Sequence, residues 1–193
     1  MIIPSGYAQV NWIFTGNSAP RGAEVTMGID LASFSGTTQD GADLASAAWA
    51  ATVLADQTSS VTLSRTRFKR GPNVSGAFAE KATTSAGGIG SSAMPPQVSL
   101  LITKVTATGG RSGRGRSFMP GVTEVDIGPN GELGTAYLAD VQDKWDDLKT
   151  ALEAADLFPV LLHADNTGDV TPHPITGFQV QALVATQRRR LRG

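Results

Sequence analysis

Two histidines close to two aspartates are the first residues that could do chemistry. His163 and His173 occur in the same stretch as Asp165 and Asp169. A metal centre needs at least three converging ligands, and a hydrolytic site needs a nucleophile beside its base. The sequence identifies neither, so we favour a structural interpretation, with His163 at a strand end and His173 in a proline-flanked loop. A hydrolase that uses His163 with Asp165 is a remote alternative.

The segment Asp165–Asp169 superficially resembles a calcium-binding loop. An EF-hand loop has further oxygen ligands at fixed spacing and a closing glutamate, and this segment lacks both. A turn rich in Asp and Asn between two strands explains the same residues. We therefore predict no metal and no cofactor for this chain.

The segment Gly113-Arg114-Gly115 suggests a cradle for phosphate. A Walker loop needs G-x-x-x-x-G-K-[ST], and a dinucleotide fingerprint needs G-x-G-x-x-G at the start of a helix. The residues that follow, Ser117–Gly121, do not start a helix. The residues around this segment therefore do not match a nucleotide-binding motif. We also predict no catalytic residues in the chain.

Two arginine-rich segments fit a contact surface better than a catalytic centre. One lies in mid-chain among glycines, and the other, residues 187–193, is a basic C-terminal tail that holds four of the sixteen Lys and Arg. Each combines fixed charge with backbone that has no competing structure. We predict seven interface residues in them: Arg111, Arg114, Arg116, Arg188, Arg189, Arg190 and Arg192.

The partner of these arginines is predicted to be protein, with nucleic acid as the second choice. Arginine suits both phosphate and carboxylate. The net charge is only −1, and neither arginine segment is interleaved with the aromatic residues expected of single-strand binders. Acidic residues crowd positions 140–156. They form either a docking face for the basic segments of a neighbouring subunit or a solvated helix face, and we favour the solvated face.

Composition limits the remaining classes. A length of 193 residues with 40% hydrophobic content suits a single domain, 1–193, with a buried core. The chain has no cysteine, which excludes disulfides, thiolate catalysis and cysteine-ligated zinc. The first residues show no signal-peptide pattern, and no apolar run approaches the roughly 20 residues of a membrane span. We expect no membrane contact.

Hydrophobic periodicity predicts a fold of the α+β class, with a mixed or antiparallel sheet and two main helices. Residues 8–14 and 24–31 alternate as the strands of a hairpin. The helices are predicted at about 40–55 and 135–156, and the first should bury Leu44, Ala48, Ala51 and Leu54 on one face. Further strands are predicted at 61–68, 97–107, 158–163 and 175–184. The β-α-β-β-α-β order in the middle has a ferredoxin-like pattern.

Residues 71–96 change composition to Gly, Ser, Ala, Thr and Pro. Loops of this length inside a compact domain are uncommon and are usually functional or disordered. We predict a flexible arm or loop insertion there.

Several segments together resemble a family of structural proteins encoded by tailed bacteriophages. They are Gly6–Gly16, Leu100–Lys104, the arginine loop Gly110–Gly121, Pro159–His163 and the ending Ala185–Arg192. The resemblance covers most of the chain apart from residues 71–94. Members are mostly unassigned beyond a place among virion genes, so the family supplies a class and no catalytic residues.

The resemblance implies a non-enzymatic virion protein, made in the host cytoplasm and located in the virion. It would oligomerise with itself and with other virion proteins, such as major capsid or tail proteins, through contacts made by the arm at 71–96 and the tail at 187–193. Three roles stay open: capsid cement or decoration protein, head–tail connector component and tail component. Arms and termini that order on binding and multivalent contacts are consistent with this class. A nucleic-acid-binding protein that uses the arginines is the alternative.

Overall fold

The computed structural model describes residues 2–16, 24–53, 61–72, 75–82, 99–107, 111–115, 133–165 and 167–183. These residues form an α+β fold, which confirms the predicted class. The elements in chain order are β1 (Tyr7–Gly16), β2 (Glu24–Asp30), α1 (Thr38–Thr52), β3 (Val61–Arg70), β4 (Phe78–Ala82), β5 (Ser99–Thr106), β6 (Arg111–Gly115), α2 (Thr135–Glu153), β7 (Phe158–Ala164) and β8 (Val170–Leu183).

The described strands form one eight-stranded sheet in the order β4-β3-β1-β2-β7-β8-β5-β6. Every neighbouring pair is antiparallel. The predicted hairpin of β1 and β2 is confirmed. Because β1 is antiparallel to both β2 and β3, the β2-α1-β3 unit is a split βαβ. The ferredoxin-like pattern does not extend to the second half, where β6 precedes α2 at the sheet edge.

Alternation along β1 decides which face of the sheet is buried. Ala8, Val10, Trp12 and Phe14 are buried, while Gln9 between them is only partly buried. Successive strand residues point to opposite faces, so these four share the face that packs against the helices. The opposite face carries the intervening polar residues.

Helix α1 starts at a capping box. The Asp40 N–H donates to Thr37 Oγ1 at 3.2 Å, and the Thr37 N–H donates to Asp40 Oδ2 at 2.8 Å. This reciprocal pair satisfies backbone donors that the first turn leaves free. The helix occupies Thr38–Thr52, which confirms the helix predicted near 40–55.

The buried face of α1 differs from the predicted one. Leu44 is 39% exposed and Ala51 is also exposed, while Leu54 lies outside the described residues. Of the predicted face, Ala48 is buried as expected. The helix also buries Trp49 and further small residues: Gly41, Ala42, Ala45 and Ser46. Small residues bring the helix backbone close to the sheet, where Trp49 buries more apolar area than a leucine would.

Close approach is tightest at Gly41, which packs against β3. A Cβ added there would lie 2.7 Å from the Phe68 ring, which is itself fully buried. Glycine is otherwise unfavourable in a helix interior. The phenyl ring of Phe68 fills the space that a side chain at position 41 would take.

Helix α2 has the predicted amphipathic pattern. Val141, Trp145, Leu148 and Leu152 are buried at the expected spacing, with Leu138 partly buried beside them. The helix occupies Thr135–Glu153, close to the predicted 135–156.

Aromatic rings join the two helices over the sheet. Trp49 of α1 and Trp145 of α2 meet edge to face, with ring centroids 5.5 Å apart. Trp12 lies 4.8 Å from Trp49, and its indole N–H donates to the Ala45 carbonyl of α1 at 2.9 Å. Phe178 of β8 completes the cluster against Trp145. Edge-to-face and tilted pairs at these distances are favourable beyond the area they bury.

Three segments predicted as loops contain strand. Phe78–Ala82, inside the arm predicted at 71–96, is β4, which pairs with β3. Arg111–Gly115, inside the predicted arginine loop, is β6. Strand β8 begins at Val170 and includes Pro172-His173-Pro174, predicted as a loop. Proline is tolerated there because β5 pairs with β8 only from Ile175 onward, so β7 alone covers the proline stretch.

Strand β8 changes partner along its length. Its first half pairs with β7 at Val170–Pro174, and its second half pairs with β5 at Ile175–Leu183. Beyond Pro174, the side of β8 that β7 has left meets α2. There the Gln142 side-chain amide donates to the Phe178 carbonyl at 2.6 Å and accepts the Val180 N–H at 3.0 Å.

Candidate functional site

The mid-chain arginine segment lies at one edge of the sheet. Arg111 and Arg114 belong to β6, which pairs with β5 on one side, with Val105 opposite Arg111 and Lys104 opposite Ser112. The other side of β6 has no strand partner within the described ranges. An edge strand presents a row of free backbone donors and acceptors and can pair with another chain. Two of the seven predicted interface arginines therefore lie on the outermost strand of the sheet that the described residues form.

The other five predicted interface residues lie outside the described residues. They are Arg116, Arg188, Arg189, Arg190 and Arg192. Residues 83–96 of the predicted arm and the tail at 187–193 also lie outside.

At the opposite edge of the sheet, basic residues are paired internally. Arg67 Nε donates to Glu80 Oε2 at 2.7 Å, and Arg65 lies 3.6 Å from the other oxygen of Glu80. The Arg67 hydrogen bond holds the pKa of the Glu80 carboxyl below its usual value. Lys81 of β4 pairs with Asp43 of α1 at 3.3 Å. The charges of this edge are thus directed to partners in the same chain.

Helix α2 carries a stripe of unpaired carboxylates. Asp140, Asp143 and Asp147 are exposed and follow the i, i+3, i+7 spacing of one helix face. None of the three makes an ion pair or hydrogen bond with another residue that the structure describes. Asp146 is engaged with β8, and Glu153 is paired with Lys149 at 2.7 Å. The stripe is narrower than the sequence suggested, and its three carboxylates are exposed without a partner among the residues that the structure describes.

The two histidines of the second half lie on neighbouring strands. The register of β7 and β8 places His163 opposite Thr171 and His173 opposite Leu161. Within the described ranges, no group of three or more His, Asp or Glu side chains is close enough together to hold a metal ion.

The segment Asp165–Asp169 is an Asx turn that joins β7 to β8. Asp165 Oδ1 accepts the Thr167 N–H at 2.8 Å, the Thr167 hydroxyl at 2.7 Å and the Asp169 N–H at 3.0 Å. Hydrogen bonds from Thr167 and from the Asp169 and Gly168 amides hold the pKa of Asp165 below its usual value. Gly168 turns the chain with φ +91°. Three protein donors thus bind Oδ1, one of the two carboxylate oxygens of Asp165.

A half-open groove of about 200 Å³ lies where β2 and β7 separate. Its lining includes Lys104, Gln9, Thr26, Gly28, Val160 and Leu162. The Lys104 ammonium donates to the Thr26 backbone carbonyl at 2.5 Å. Burial lowers the pKa of Lys104 to about 8.

The Lys104 groove was not predicted from the sequence. Lys104 occurs in a strand-forming segment, and nothing in the spacing of Gln9, Thr26 and Lys104 shows that they meet. Only the alternation of residues 97–107 gave a signal, because a lysine inside an apolar strand must find a polar environment.

No helix in the described residues is long and apolar enough to cross a membrane. No protein-family model matches the chain, and no curated protein or solved structure matches it.

Proposed function

We propose that this protein is a non-enzymatic structural protein of a tailed-phage virion, which oligomerises on the capsid as a cement or decoration protein, or at the head–tail or tail assembly. The sequence resemblance described above supplies the class. The observation that carries the assembly role is the position of Arg111 and Arg114 on the edge strand β6.

The edge of β6 favours a protein partner because it offers backbone as well as charge. Addition of a strand to a sheet edge gains main-chain hydrogen bonds, and the side chains select the partner. The phosphates of a double-stranded nucleic acid can accept from backbone N–H groups, but they offer no donors to the C=O groups of the strand. A protein segment with carboxylates matches both properties of β6.

The carboxylate stripe of α2 provides such charges on another copy of the same chain. Asp140, Asp143 and Asp147 are exposed and have no side-chain partner among the described residues, whereas Arg65 and Arg67 on β3 are paired with Glu80. Arginine–carboxylate pairs are favoured at protein interfaces because two N–H groups can bind one carboxylate. Such contacts repeated around a symmetric particle gain affinity from multivalency.

The first experiment measures assembly of the full chain. We expect the mass measured by analytical ultracentrifugation to rise with protein concentration. The double variant Arg111→Gln/Arg114→Gln should weaken association by tenfold or more, which corresponds to about 1.4 kcal/mol. The control is Arg65→Gln/Arg67→Gln, which removes two strand arginines from the opposite edge and should leave association unchanged.

The second experiment looks for the protein in particles. Quantitative mass spectrometry of purified virions from the source of the chain should detect it at a fixed ratio to the major capsid protein. Hundreds of copies per particle indicate a decoration protein. The few copies that form a single cyclic ring indicate a connector or tail component. Absence from particles, together with a monomer at all concentrations, would contradict the proposal.

The nucleic-acid alternative predicts a different result. Binding to duplex DNA would weaken steeply with salt, with a slope of about 0.9 per phosphate contacted. Fluorescence anisotropy at several salt concentrations measures that slope. Strong, salt-dependent DNA binding by a monomer that is absent from particles would favour the alternative.

A further inference from the structure

The groove beside Lys104 contains a positive charge for which the described residues provide no counterion. The side chain makes one hydrogen bond, to the Thr26 carbonyl, and no ion pair with any residue in the described ranges. An ammonium group has three N–H donors, so two are left for other acceptors. Buried charges are normally paired, because an isolated charge away from water is costly.

The shape of the groove follows from how β7 leaves β2. The two strands pair only over Gly28–Asp30, so β7 does not cover β2 at Thr26. Gly28 lets Leu162 lie against β2, since a Cβ at that position would be 2.6 Å from Leu162 Cγ. Val160 and Leu162 give the groove apolar walls, and Lys104 and Gln9 give it polar groups.

We propose that this groove binds a small aliphatic carboxylate. The carboxylate oxygens accept hydrogen bonds from the Lys104 ammonium and the Gln9 amide, and the hydrocarbon part lies on Val160 and Leu162. A pocket with apolar walls and a few placed polar groups is the usual form of a small-molecule site. Phosphate is a poorer match, because one lysine and one amide leave most of its oxygens without donors.

The site uses none of the residues assigned to the interface, although its lysine lies on β5, opposite Ser112 of β6. Ligand binding is measured at Val160 and Leu162 and is therefore read separately from assembly.

The test uses the full chain with ¹³C-labelled Val and Leu methyl groups, titrated with isovalerate and followed by NMR. We expect saturable shifts of the Val160 and Leu162 methyl signals. The neutral isostere isovaleramide should bind at least tenfold more weakly, because it cannot compensate the lysine charge. Equal binding of acid and amide, or no saturable shift of these methyl signals, would overturn the proposal.

A substitution distinguishes the contribution of Lys104 to binding from that of the apolar groove walls. Lys104→Met keeps an unbranched side chain, one atom shorter, and removes the charge, and we expect it to lose isovalerate binding at least tenfold. Lys81→Met, on β4 at the far edge of the sheet, removes a lysine that does not line the groove and should bind as the wild type does. Unchanged binding of isovalerate by a folded Lys104→Met variant would overturn the proposal. If that variant does not fold, the comparison of isovalerate with isovaleramide tests the proposal instead.

Dependence on pH provides a further check. None of the other described residues that line the groove is titratable. With a Lys104 pKa of about 8, only a small fraction of the free protein has a charged lysine at high pH. Affinity for isovalerate should therefore fall by about 30-fold between roughly pH 7 and 9.5, since binding needs the protonated form. An affinity that is flat over this range would count against the lysine contact.

Discussion

Gln142 of α2 pairs with the backbone of β8 as a neighbouring strand would, with its Nε2 2.6 Å from the Phe178 carbonyl oxygen. Its Oε1 accepts the Val180 N–H two residues further along β8. One side-chain amide thus satisfies a donor and an acceptor on the side of β8 that β7 has left. Asp146, one turn later, accepts from Gln142 Nε2 at 2.9 Å and orients the amide.

This geometry predicts a large effect for Gln142→Glu. The substitution replaces the donor Nε2 with an oxygen that faces the Phe178 carbonyl and the Asp146 carboxylate. We expect a loss of about 2 kcal/mol in the free energy of unfolding, because a buried carbonyl loses its donor beside a new negative charge. Urea denaturation measures the change.

The chain offers a matched control for that substitution. Gln39 donates to Asp43 at 3.1 Å with the same i, i+4 spacing, but on the exposed surface of α1. Gln39→Glu should cost about 0.5 kcal/mol or less, since an exposed pair is weak and the N-terminal turn favours negative charge. Equal losses at positions 142 and 39 would contradict the role given to Gln142.

Gly41→Ala is predicted to destabilise the protein although alanine is the better helix former. The added methyl group would lie 2.7 Å from the buried Phe68 ring, and overpacking of this kind costs about 1–3 kcal/mol. In a Phe68→Leu background the same substitution should cost much less, because the ring is gone. A double-mutant cycle measured in guanidinium chloride checks the coupling. Additive effects would show that the clash is relieved in another way.

Lys104 should make stability depend on pH in the alkaline range. Burial lowers its pKa to about 8 from an ordinary 10.5, so between these values the unfolded chain binds more protons than the folded chain. Stability then rises with pH through this window, by up to about 3 kcal/mol. Below about pH 7 both states are protonated and the contribution is flat.

The measurement is the difference in unfolding free energy between wild type and Lys104→Met at several pH values. Other titrating groups cancel in that difference. It should change in favour of the wild type as pH rises from about 8 to 10.5. A constant difference would mean that Lys104 titrates alike in both states.

Asp165 should titrate below the ordinary aspartate value of 3.8, because the hydroxyl and amide of Thr167 bind its charged form. Protonation weakens these hydrogen bonds, so the turn is at full strength above this value and loosens as pH falls through the lowered pKa. Carboxyl ¹³C NMR measures the titration, and Thr167→Val, which removes the hydroxyl donor, should raise the midpoint. Millimolar calcium should leave the midpoint unchanged. A calcium-dependent shift would restore the cation-site interpretation of this loop.

The elements that the sequence predicted well are those whose own periodicity carries the information. In α2, Val141, Trp145 and Leu148 follow helical spacing and are buried as expected. In α1 the periodicity of the leucines gave the wrong prediction for Leu44, which is exposed. The buried face is made of small residues around Trp49. Which face of an alanine-rich helix is buried depends on the space that partners such as Phe68 leave, and that is a tertiary property.

Strand pairing was harder to predict, since it depends on residues distant in the sequence. Nothing local marks Phe78–Ala82 as a strand, yet Glu80 finds Arg67 and the segment joins β3. The glycines in Arg111–Gly115 favoured a loop, and its pairing with β5 makes it a strand. The Lys104 groove is lined by residues from β1, β2, β5 and β7, which four strand pairings bring together, and this explains why only the fold reveals it.

The change of partner along β8 has a consequence for biosynthesis. Strand β5 ends at Thr106, and the half of β8 that pairs with it spans Ile175–Leu183. At ribosomal rates of about 5–20 residues per second, roughly 4–15 s separate the two strands in time. During this interval, one side of β5 on the nascent chain has no partner from β8. The speed of translation between these strands thus sets how long each nascent chain exposes the edge of β5 to other nascent chains on the same polysome.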